Sequence, residues 1–308
     1  MDRRQKVLVI VGPTASGKSA LAVGLAKKFN GEIVSADSRQ VYTGLDIGTG
    51  KVTEREAQSV PHYLLDIASP KRTVTAHEYS EKARSAIHGI AARGSLPIVV
   101  GGTGFYIDAL LGRVDLPDVV PNRALRKKLE KKTVGQLYTL LKGRDPNRAK
   151  IMNTPSERNN TVRLIRALEV ATFKKNSNKN ESKGSPWNAV LWIGIAPTKK
   201  DLESRIKQRL RDRIRAGMVA EGRRLHAQGL SYKRMEQLGL EYRSLSRLLQ
   251  RKITRKEFEE ELFRDIRRYA KKQTAYWKRN KEIRWFSSAR SPQILQTVSR
   301  WLGGREAR

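Results

Sequence analysis

The chain has 308 residues, enough for one large α/β domain or for one domain with a smaller lobe. Its 63 lysines and arginines against 30 aspartates and glutamates give a formal net charge of +33, which indicates a polyanionic partner, most commonly nucleic acid. The absence of cysteine excludes disulfide bonds and cysteine-ligated metal sites.

The apolar runs of the sequence are short. None approaches the about 18 residues that a bilayer-spanning helix needs, so we expect no membrane association. The basic residues before VLVIV mimic a signal peptide, but this apolar run is too short and leads directly into a glycine-containing loop. We therefore expect a cytoplasmic protein, which suits the lack of cysteine, and we expect it to be a monomer.

The first predicted element is a buried strand over Val7 to Val11, a run of apolar, mostly β-branched residues. The next eight residues, GPTASGKS, fit the phosphate-loop pattern G-x-x-x-x-G-K-[ST], and a helical apolar pattern follows them. In such a loop successive backbone N–H groups face phosphate oxygens, Lys18 adds a positive charge, and the Ser19 hydroxyl can ligate Mg²⁺. A glycine turn that binds nothing is the alternative. The predicted phosphate-binding residues are Gly12, Thr14, Ala15, Ser16, Gly17, Lys18 and Ser19.

A second short strand, Glu32 to Ala36, leads into the polar residues Asp37, Ser38, Arg39 and Gln40. Ligands bind at the carboxyl ends of strands in a doubly wound sheet, so we expect Asp37 to share a crevice with Lys18. Glycines then predict a mobile loop over residues 44–51, and residues 61–67 form a short strand or a buried turn.

A third clear strand, Pro97 to Val100, follows a predicted helix over Tyr79 to Ala92. The strand ends in Gly101 and Gly102, with no aspartate to help hold magnesium. In this respect the chain departs from an ordinary nucleotide hydrolase.

The middle of the chain changes character. Residues 116–188 contain charged helical patterns, including a helix over Thr161 to Phe173, and a stretch without apolar residues at 174–186 that predicts a flexible loop. Val190 to Ile195 then restores a strand. We therefore predict an α/β fold: a P-loop NTPase-like parallel sheet core over 1–115 and 189–308, with an inserted helical domain over 116–188 and a basic helical C-terminal region.

The last third of the chain is helical and basic. Arg205, Arg209 and Arg213 follow at i, i+4 and i+8, and the predicted helix over Lys256 to Asn280 crowds basic residues around one apolar face. Because few acidic residues balance these charges, we expect phosphate contacts here.

Three segments together resemble the tRNA dimethylallyltransferase family: GPTASGKS (12–19), SADSRQVYTGLDIGTGK (35–51) and VGGTGFYIDALL (100–111). Weaker matches continue through VRLIRALE (162–169), residues 209–217, LGLEYR (238–243) and RRYAKKQTAYW (267–277). The resemblance implies transfer of a dimethylallyl group from dimethylallyl diphosphate to the exocyclic N6 amine of the adenosine 3′-adjacent to the anticodon in tRNA. It also implies that the enzyme flips the target base out of the anticodon loop.

The resemblance also implies catalytic roles. The diphosphate would lie on the phosphate loop, where Lys18, Arg209 and Mg²⁺ neutralise the charge that develops on the leaving group. Asp37 matches the general base; the alternative is a carboxylate that only hydrogen-bonds the amine or caps a helix. Thr103 matches a residue that contacts the tRNA near the reacting group, and its alternative role is a turn hydroxyl that satisfies backbone groups.

Recognition of the anticodon stem-loop is expected to involve both halves of the chain. Val162 stands before Arg163 where the family usually has glutamine, so recognition of the loop sequence could be looser, while Arg211 and Arg213 add phosphate affinity. The residues expected at the tRNA are Asp37, Ser38, Arg39, Gln40, Thr103, Arg126, Val162 and Arg163.

Two other functions fit parts of the sequence. An ATP-binding small-molecule or nucleoside kinase would share the phosphate loop and parallel sheet, but it explains neither the charge of +33 nor the missing aspartate after Val100. A non-catalytic RNA-binding protein would use the loop only to anchor backbone phosphates. Such a protein would tolerate Asp37→Asn.

Overall fold

The computed structural model describes residues 6–114, 116–117, 119–152, 154–174, 187 and 189–303, within which the chain forms six strands and fifteen helices. The strands are β1 (Lys6–Val11), β2 (Gly31–Ala36), β3 (His62–Tyr63), β4 (Leu96–Gly101), β5 (Ala189–Ile195) and β6 (Arg284–Phe286). The helices are α1 (Lys18–Lys28), α2 (Glu54–Ala57), α3 (Ala76–Ala92), α4 (Gly104–Leu110), α5 (Arg123–Leu129), α6 (Val134–Arg144), α7 (Pro146–Ile151), α8 (Pro155–Arg158), α9 (Thr161–Lys174), α10 (Lys199–Arg215), α11 (Met218–Ala227), α12 (Tyr232–Leu238), α13 (Leu240–Leu249), α14 (Arg255–Trp277) and α15 (Pro292–Leu302).

All six strands are parallel and form one sheet in the order β3-β2-β4-β1-β5-β6. The predicted α/β class and its four main strands are confirmed, while β3 is only two residues long and β6 was not predicted. The apolar run of β1 lies between β4 and β5, with Val9 beside Val99 on one side and Trp192 on the other. A strand buried on both faces needs apolar residues throughout, which explains the unbroken VLVIV pattern.

Successive residues of β1 point to opposite faces of the sheet and serve two cores. Val7, Val9 and Val11 face a cluster with buried residues of α3, α10, α13 and α14. Leu8 and Ile10 face a second cluster with buried residues of α1 and α15. The sheet is therefore covered on both sides, and only the ends of its strands remain open for function.

The carboxyl ends of β1, β2 and β4 carry the predicted site residues. The chain leaves β1 through α1 and returns to the sheet at β2, on one side of β1. It leaves β4 through α4 and returns to the sheet at β5, on the other side of β1. Neighbouring strands whose connections diverge leave a crevice at their carboxyl ends, and this is where open α/β sheets bind ligands.

The chain divides into two compact units, one made of the described residues of 6–114 and 187–303, the other of those between 116 and 174. The second unit contains α5 to α9 around a core of Leu137, Leu141, Leu164 and Leu168. Of the flexible loop predicted over residues 174–186, only Lys174 is among the described residues. No helix within the described ranges is long and apolar enough to cross a membrane.

Candidate active site

The phosphate loop joins β1 to α1. Gly17 has φ +94°, a left-handed conformation that glycine adopts without steric cost, and α1 begins at the next residue. The first turn of α1 contains no acidic residue, so the partial positive charge of its N-terminus faces outward unneutralised. Thr14 and Ser19 line the cavity in front of this helix end. The loop thus presents backbone donors and a hydroxyl to an anion.

Two cationic side chains flank the loop. Burial, followed by the repulsion of Arg209, lowers the pKa of Lys18 to about 8, although Asp37 opposes this shift. Burial, and then the repulsion of the neighbouring Arg213, likewise lower the pKa of Arg209 to about 10. The side chain of Arg209 opens to the cavity, but protein surrounds its head group. Lys18 Nζ donates a hydrogen bond to Pro13 O at 3.1 Å. Two cations whose pKa values are lowered by burial and by a neighbouring positive charge indicate a site that binds an anion.

Asp37 lies directly beyond β2 and lines the same cavity as Lys18. Its Oδ1 accepts hydrogen bonds from the backbone N–H groups of Arg39 at 2.8 Å and Gln40 at 3.3 Å. These bonds form an Asx turn, so Asp37 stabilises a turn and not the start of a helix, which the sequence offered as one alternative. Within the described part of the chain, no hydrogen bond uses Oδ2, and the second oxygen is therefore available to a ligand.

Thr103 connects the end of β4 to the Asp37 segment. It is the N-cap residue of α4, and its Oγ1 accepts a hydrogen bond from the backbone N–H of Ser38 at 3.0 Å. Its own N–H donates to Ala36 O at 3.2 Å. Tyr269 of α14 lies close to the Thr103 side chain, and burial is the main cause that raises the pKa of Tyr269 to about 12. The turn role expected as the alternative for Thr103 is thus realised next to Asp37.

The glycine-containing loop over residues 44–51 is held in place, contrary to the mobile loop that the sequence predicts. The buried Glu221 carboxylate accepts hydrogen bonds from the N–H groups of Asp46, Ile47 and Gly48 at 2.6 to 3.0 Å. Gln40 Nε2 in turn donates to Gly50 O at 3.2 Å, which connects the loop to the Asp37 turn.

Arg213 is bound to the same loop. Its guanidinium donates to Gly48 O at 3.1 Å and to Thr49 O at 3.3 Å, and lies 3.4 Å from Glu241. The head group of Arg213 is therefore held by the protein, but the side chain also lines the cavity, so its predicted contribution to phosphate affinity stays a prediction. On the same face of α10, Arg205 donates to Ser16 O of the phosphate loop at 3.3 Å.

One cavity of about 620 Å³ collects these groups. Ligand sites of drug-sized molecules span roughly 300–1,000 Å³, so this volume is that of a small-molecule site. Its wall includes Thr14, Lys18, Ser19, Asp37, Arg209 and Gln273. The structure therefore brings part of the predicted phosphate-binding set to one cavity with Asp37, namely Thr14, Lys18, Ser19 and Arg209. The other members do not line it: Gly12, Ala15, Ser16 and Gly17.

The other predicted residues belong to the inserted unit. Arg126 forms a two-pronged ion pair with the buried Glu169, with both N···O distances at 2.7 Å. Val162 is 77% exposed on α9, and the exposed Arg163 lies 3.6 Å from Glu157. The roles of these three residues at tRNA remain predictions, and Arg126 has a structural role in addition.

Magnesium has few protein ligands available here. No group of three His, Asp or Glu side chains able to hold a metal ion occurs among the described residues. Ser19 offers its hydroxyl at the cavity, and Mg²⁺ characteristically combines one or two protein ligands with substrate phosphate oxygens and water. The donor set therefore fits an ion that arrives with a diphosphate.

Sequence reasoning missed Gln273 and Glu221. Gln273 is 5% exposed on α14, and its Oε1 accepts from the N–H of Thr14 at 2.8 Å. A glutamine on an otherwise apolar helix face, one turn after Tyr269, is the signal that could have identified it. Glu221 carried no comparable signal, because the loop residues that it holds lie more than 170 residues earlier in the chain.

Comparisons with known proteins agree on one family. The model of the family described as IPP transferase matches residues 40–281. A tRNA dimethylallyltransferase of Anoxybacillus flavithermus is 38% identical over 287 residues, which cover 92% of this chain and 90% of that protein. A tRNA dimethylallyltransferase 2 of Treponema denticola is 39% identical, covering 91% and 93%. The crystal structure of a tRNA isopentenylpyrophosphate transferase from Bacillus halodurans superposes with a TM-score of 0.71 at 33% identity, covering 97% and 96%.

Proposed function

The chain belongs to the IPP transferase family, and from this premise we propose that it transfers a dimethylallyl group from dimethylallyl diphosphate to tRNA. It is a tRNA dimethylallyltransferase in activity, and its product is N6-isopentenyladenosine 3′-adjacent to the anticodon. One observation carries the proposal best: a single cavity has an anion-binding loop with two cations at one end and the carboxylate of Asp37 beside it.

The reaction needs both ends of this cavity. The C–O bond of the allylic carbon breaks, and its electron pair leaves with the diphosphate. The lone pair of the adenine N6 amine forms the new C–N bond to the same carbon. The loop N–H groups, Lys18 and Arg209 stabilise the negative charge that develops on the diphosphate, which is the largest contribution expected of the protein.

Asp37 receives the proton that the amine must lose. The exocyclic amine of adenine is a poor acid until nitrogen begins to bond carbon, so Asp37 Oδ2 accepts the proton late in the transfer. The hydrogen bonds to Oδ1 from Arg39 and Gln40 fix the orientation of the carboxylate before the substrate arrives.

A magnesium ion would be held by the Ser19 hydroxyl and by diphosphate oxygens. When bound, it supplies further charge neutralisation at the leaving group. The protein groups that act beside it are Lys18 and Arg209.

tRNA binding follows from charge and from the polar segment after β2. The target adenosine leaves the stack of the anticodon loop to reach the cavity, where Ser38, Arg39 and Gln40 would contact the flipped base and its neighbours. We further propose that the inserted unit grips the anticodon stem-loop, and that the enzyme acts as a cytoplasmic monomer.

The test is mass analysis of tRNA nucleosides. The protein is incubated with Mg²⁺, dimethylallyl diphosphate and unmodified tRNA, beside a matched reaction that contains ATP instead of the prenyl diphosphate. We expect an adenosine heavier by one isopentenyl unit in the first reaction only. Unmodified tRNA together with ATP consumption in the presence of small acceptors would contradict the proposal and favour a kinase.

A further inference from the structure

Gln273 occupies an unusual place for a glutamine. It lies on the buried face of α14, between Ala270 and Trp277, and its side chain is almost completely removed from solvent. A primary amide buried at such a position is costly unless both its ends are hydrogen-bonded. Both ends are satisfied here, and each contacts a different part of the active site.

The two hydrogen bonds join the loops after β1 and β4. Gln273 Oε1 accepts from the N–H of Thr14 in the phosphate loop at 2.8 Å, and Nε2 donates to Gly102 O at 3.0 Å. The contact with Gly102 is close, since a Cβ at this residue would lie 2.0 Å from Nε2. The glycine therefore makes room for the glutamine, and the two loops meet through one side chain.

The connection continues to the predicted general base. Gly102 is followed by Thr103, whose Oγ1 accepts from the N–H of Ser38, the residue after Asp37. Tyr269, one helical turn before Gln273, lies close enough to interact with the same threonine. Two polar side chains of α14 thus hold the diphosphate end and the amine end of the cavity to one rigid helix.

We propose that Gln273 is a positioning residue that fixes the separation between the diphosphate-binding loop and the Thr103–Asp37 segment during prenyl transfer. The proposal rests on the proposed function. The reacting carbon must lie between the departing oxygen and the attacking nitrogen, and a shift of about 1 Å in such an arrangement can cost 10²-fold in rate.

Loss of this positioning has a chemical signature. If the C–O bond breaks when the amine is not in line, water attacks the allylic carbon instead. The carbon then forms a bond to the water oxygen, the diphosphate leaves with the electron pair, and a proton passes to solvent. The products are dimethylallyl alcohol and diphosphate, without modified tRNA.

The experiment compares Gln273→Met with wild type and with Gln250→Met. Methionine keeps the length of the side chain but provides neither hydrogen bond. Gln250, at the end of α13, is the control, because its side chain bonds to no described residue other than Ser246. Each protein is given tRNA and dimethylallyl diphosphate, and the diphosphate released is divided by the prenyl groups found on tRNA. This ratio does not depend on the fraction of protein that is folded.

We expect a ratio of about one for wild type and Gln250→Met, and a severalfold higher ratio for Gln273→Met, with kcat reduced about tenfold to a hundredfold and the KM for the diphosphate little changed. Gln273→Glu keeps the acceptor for Thr14 but replaces the donor to Gly102, and it should raise the ratio in the same direction. A ratio that stays at the wild-type value in both Gln273 variants overturns the proposal. If wild type itself forms no prenylated tRNA, the proposed function fails instead.

Discussion

Asp37 divides its carboxylate oxygens between the protein and the cavity. Oδ1 stabilises the turn over Ser38 to Gln40, while Oδ2 is available to a ligand and, in the proposed reaction, to the proton of the amine. Stabilising this turn and acting as a base are therefore compatible roles, since they use different atoms. Asparagine can reproduce the turn, because its amide oxygen accepts the same backbone hydrogen bonds, but it cannot act as a base.

Asp37→Asn should therefore lower kcat by about 10²-fold or more, the usual contribution of a general base, with tRNA affinity nearly unchanged. Single-turnover kinetics and tRNA binding measured on the same preparation test this. The control is Asp212→Asn, a surface aspartate on α10 that hydrogen-bonds Gln208. Wild-type kcat in the Asp37 variant would remove this carboxylate from the mechanism.

Lys18 should give diphosphate binding a dependence on pH. In the free protein its pKa lies at about 8, mainly because of burial and then because of Arg209, and a bound diphosphate must raise this pKa. The complex then holds more protons than the free protein above pH 8, so affinity should fall as pH rises through that value and stay level just below it.

Calorimetry in buffers of different ionisation enthalpy measures this proton uptake. Lys18→Arg is the matched control, because arginine remains protonated over the whole range and titration of the diphosphate itself is the same for both proteins. Equal uptake by wild type and Lys18→Arg at pH 8 to 9 would show that another group titrates.

At the scale of elements, the loop over residues 44–51 shows how a distant residue decides local order. Its three glycines favour mobility when only the local sequence is considered. The structure holds it through Glu221 of α11 and Arg213 of α10, neither of which is near in sequence. The glycine content of this loop therefore indicates its backbone conformation but not whether the loop is held in place.

Glu221→Gln should destabilise the protein by about 1–3 kcal/mol, since an amide cannot accept from three N–H groups and the Tyr242 hydroxyl as a carboxylate does. Urea unfolding measures the change. Tyr242→Phe removes one of these bonds and should cost about 0.5–1.5 kcal/mol. Equal stability of Glu221→Gln and wild type would mean that this carboxylate does not hold the loop.

In the inserted unit, Glu169 joins α5 to α9. Its buried carboxylate accepts from Arg126, from the N–H of Asn122 and from Arg166. Burial acts to raise the pKa of Glu169, but these partners outweigh it and hold the pKa below its usual value. The stabilisation is therefore present at pH values above the ordinary glutamate pKa and is lost as pH falls through the lowered one.

Arg126→Met should destabilise this unit more than Glu169→Gln does, because it leaves a buried carboxylate with weaker partners, whereas the second variant removes the buried charge. Hydrogen exchange of the α5 and α9 backbone amides in the full chain measures the stability of this unit in each variant. The difference in stability between Arg126→Met and Glu169→Gln should become smaller in acid. A larger destabilisation by Glu169→Gln than by Arg126→Met would contradict the structural role assigned to this ion pair. A loss of tRNA affinity in Arg126→Met that Glu169→Gln does not share would support the predicted contact.

Whether a strand can be predicted from the sequence depends on how deeply the strand is buried. Strands β1, β2, β4 and β5 lie in the interior of the sheet, so their apolar runs reveal them directly. β6 is three residues long at the sheet edge, with an exposed arginine, and it is a strand only because it pairs with β5. Pairing between distant segments leaves no periodic pattern in such a short stretch.

At the scale of the whole molecule, half of the candidate site was predictable. The phosphate loop and the Asp37 segment lie within the first 40 residues and carry specific motifs. The opposite wall comes from α10, α13 and α14, where the motifs are weak and polar residues such as Gln273 are hidden among many charges. What the sequence could not supply was which of those charges turn inward and which face solvent.

The net charge of +33 should make tRNA binding strongly dependent on salt, because each phosphate that the protein neutralises releases counterions. The logarithm of the binding constant should fall linearly and steeply with the logarithm of salt concentration. Lys271→Ala, at an exposed residue of α14, should reduce the slope by about one if it contacts a phosphate. A flat response of wild type would mean that the basic helices face something other than nucleic acid.

The order of the strands has a consequence for synthesis on the ribosome. β1 is made first, but its partner β5 begins only at Ala189, so the VLVIV edge stays unpaired while the inserted unit emerges. Arg209 and Gln273 are made later still. A nascent chain that has not yet reached α10 and α14 therefore carries a phosphate loop without the residues that complete its cavity.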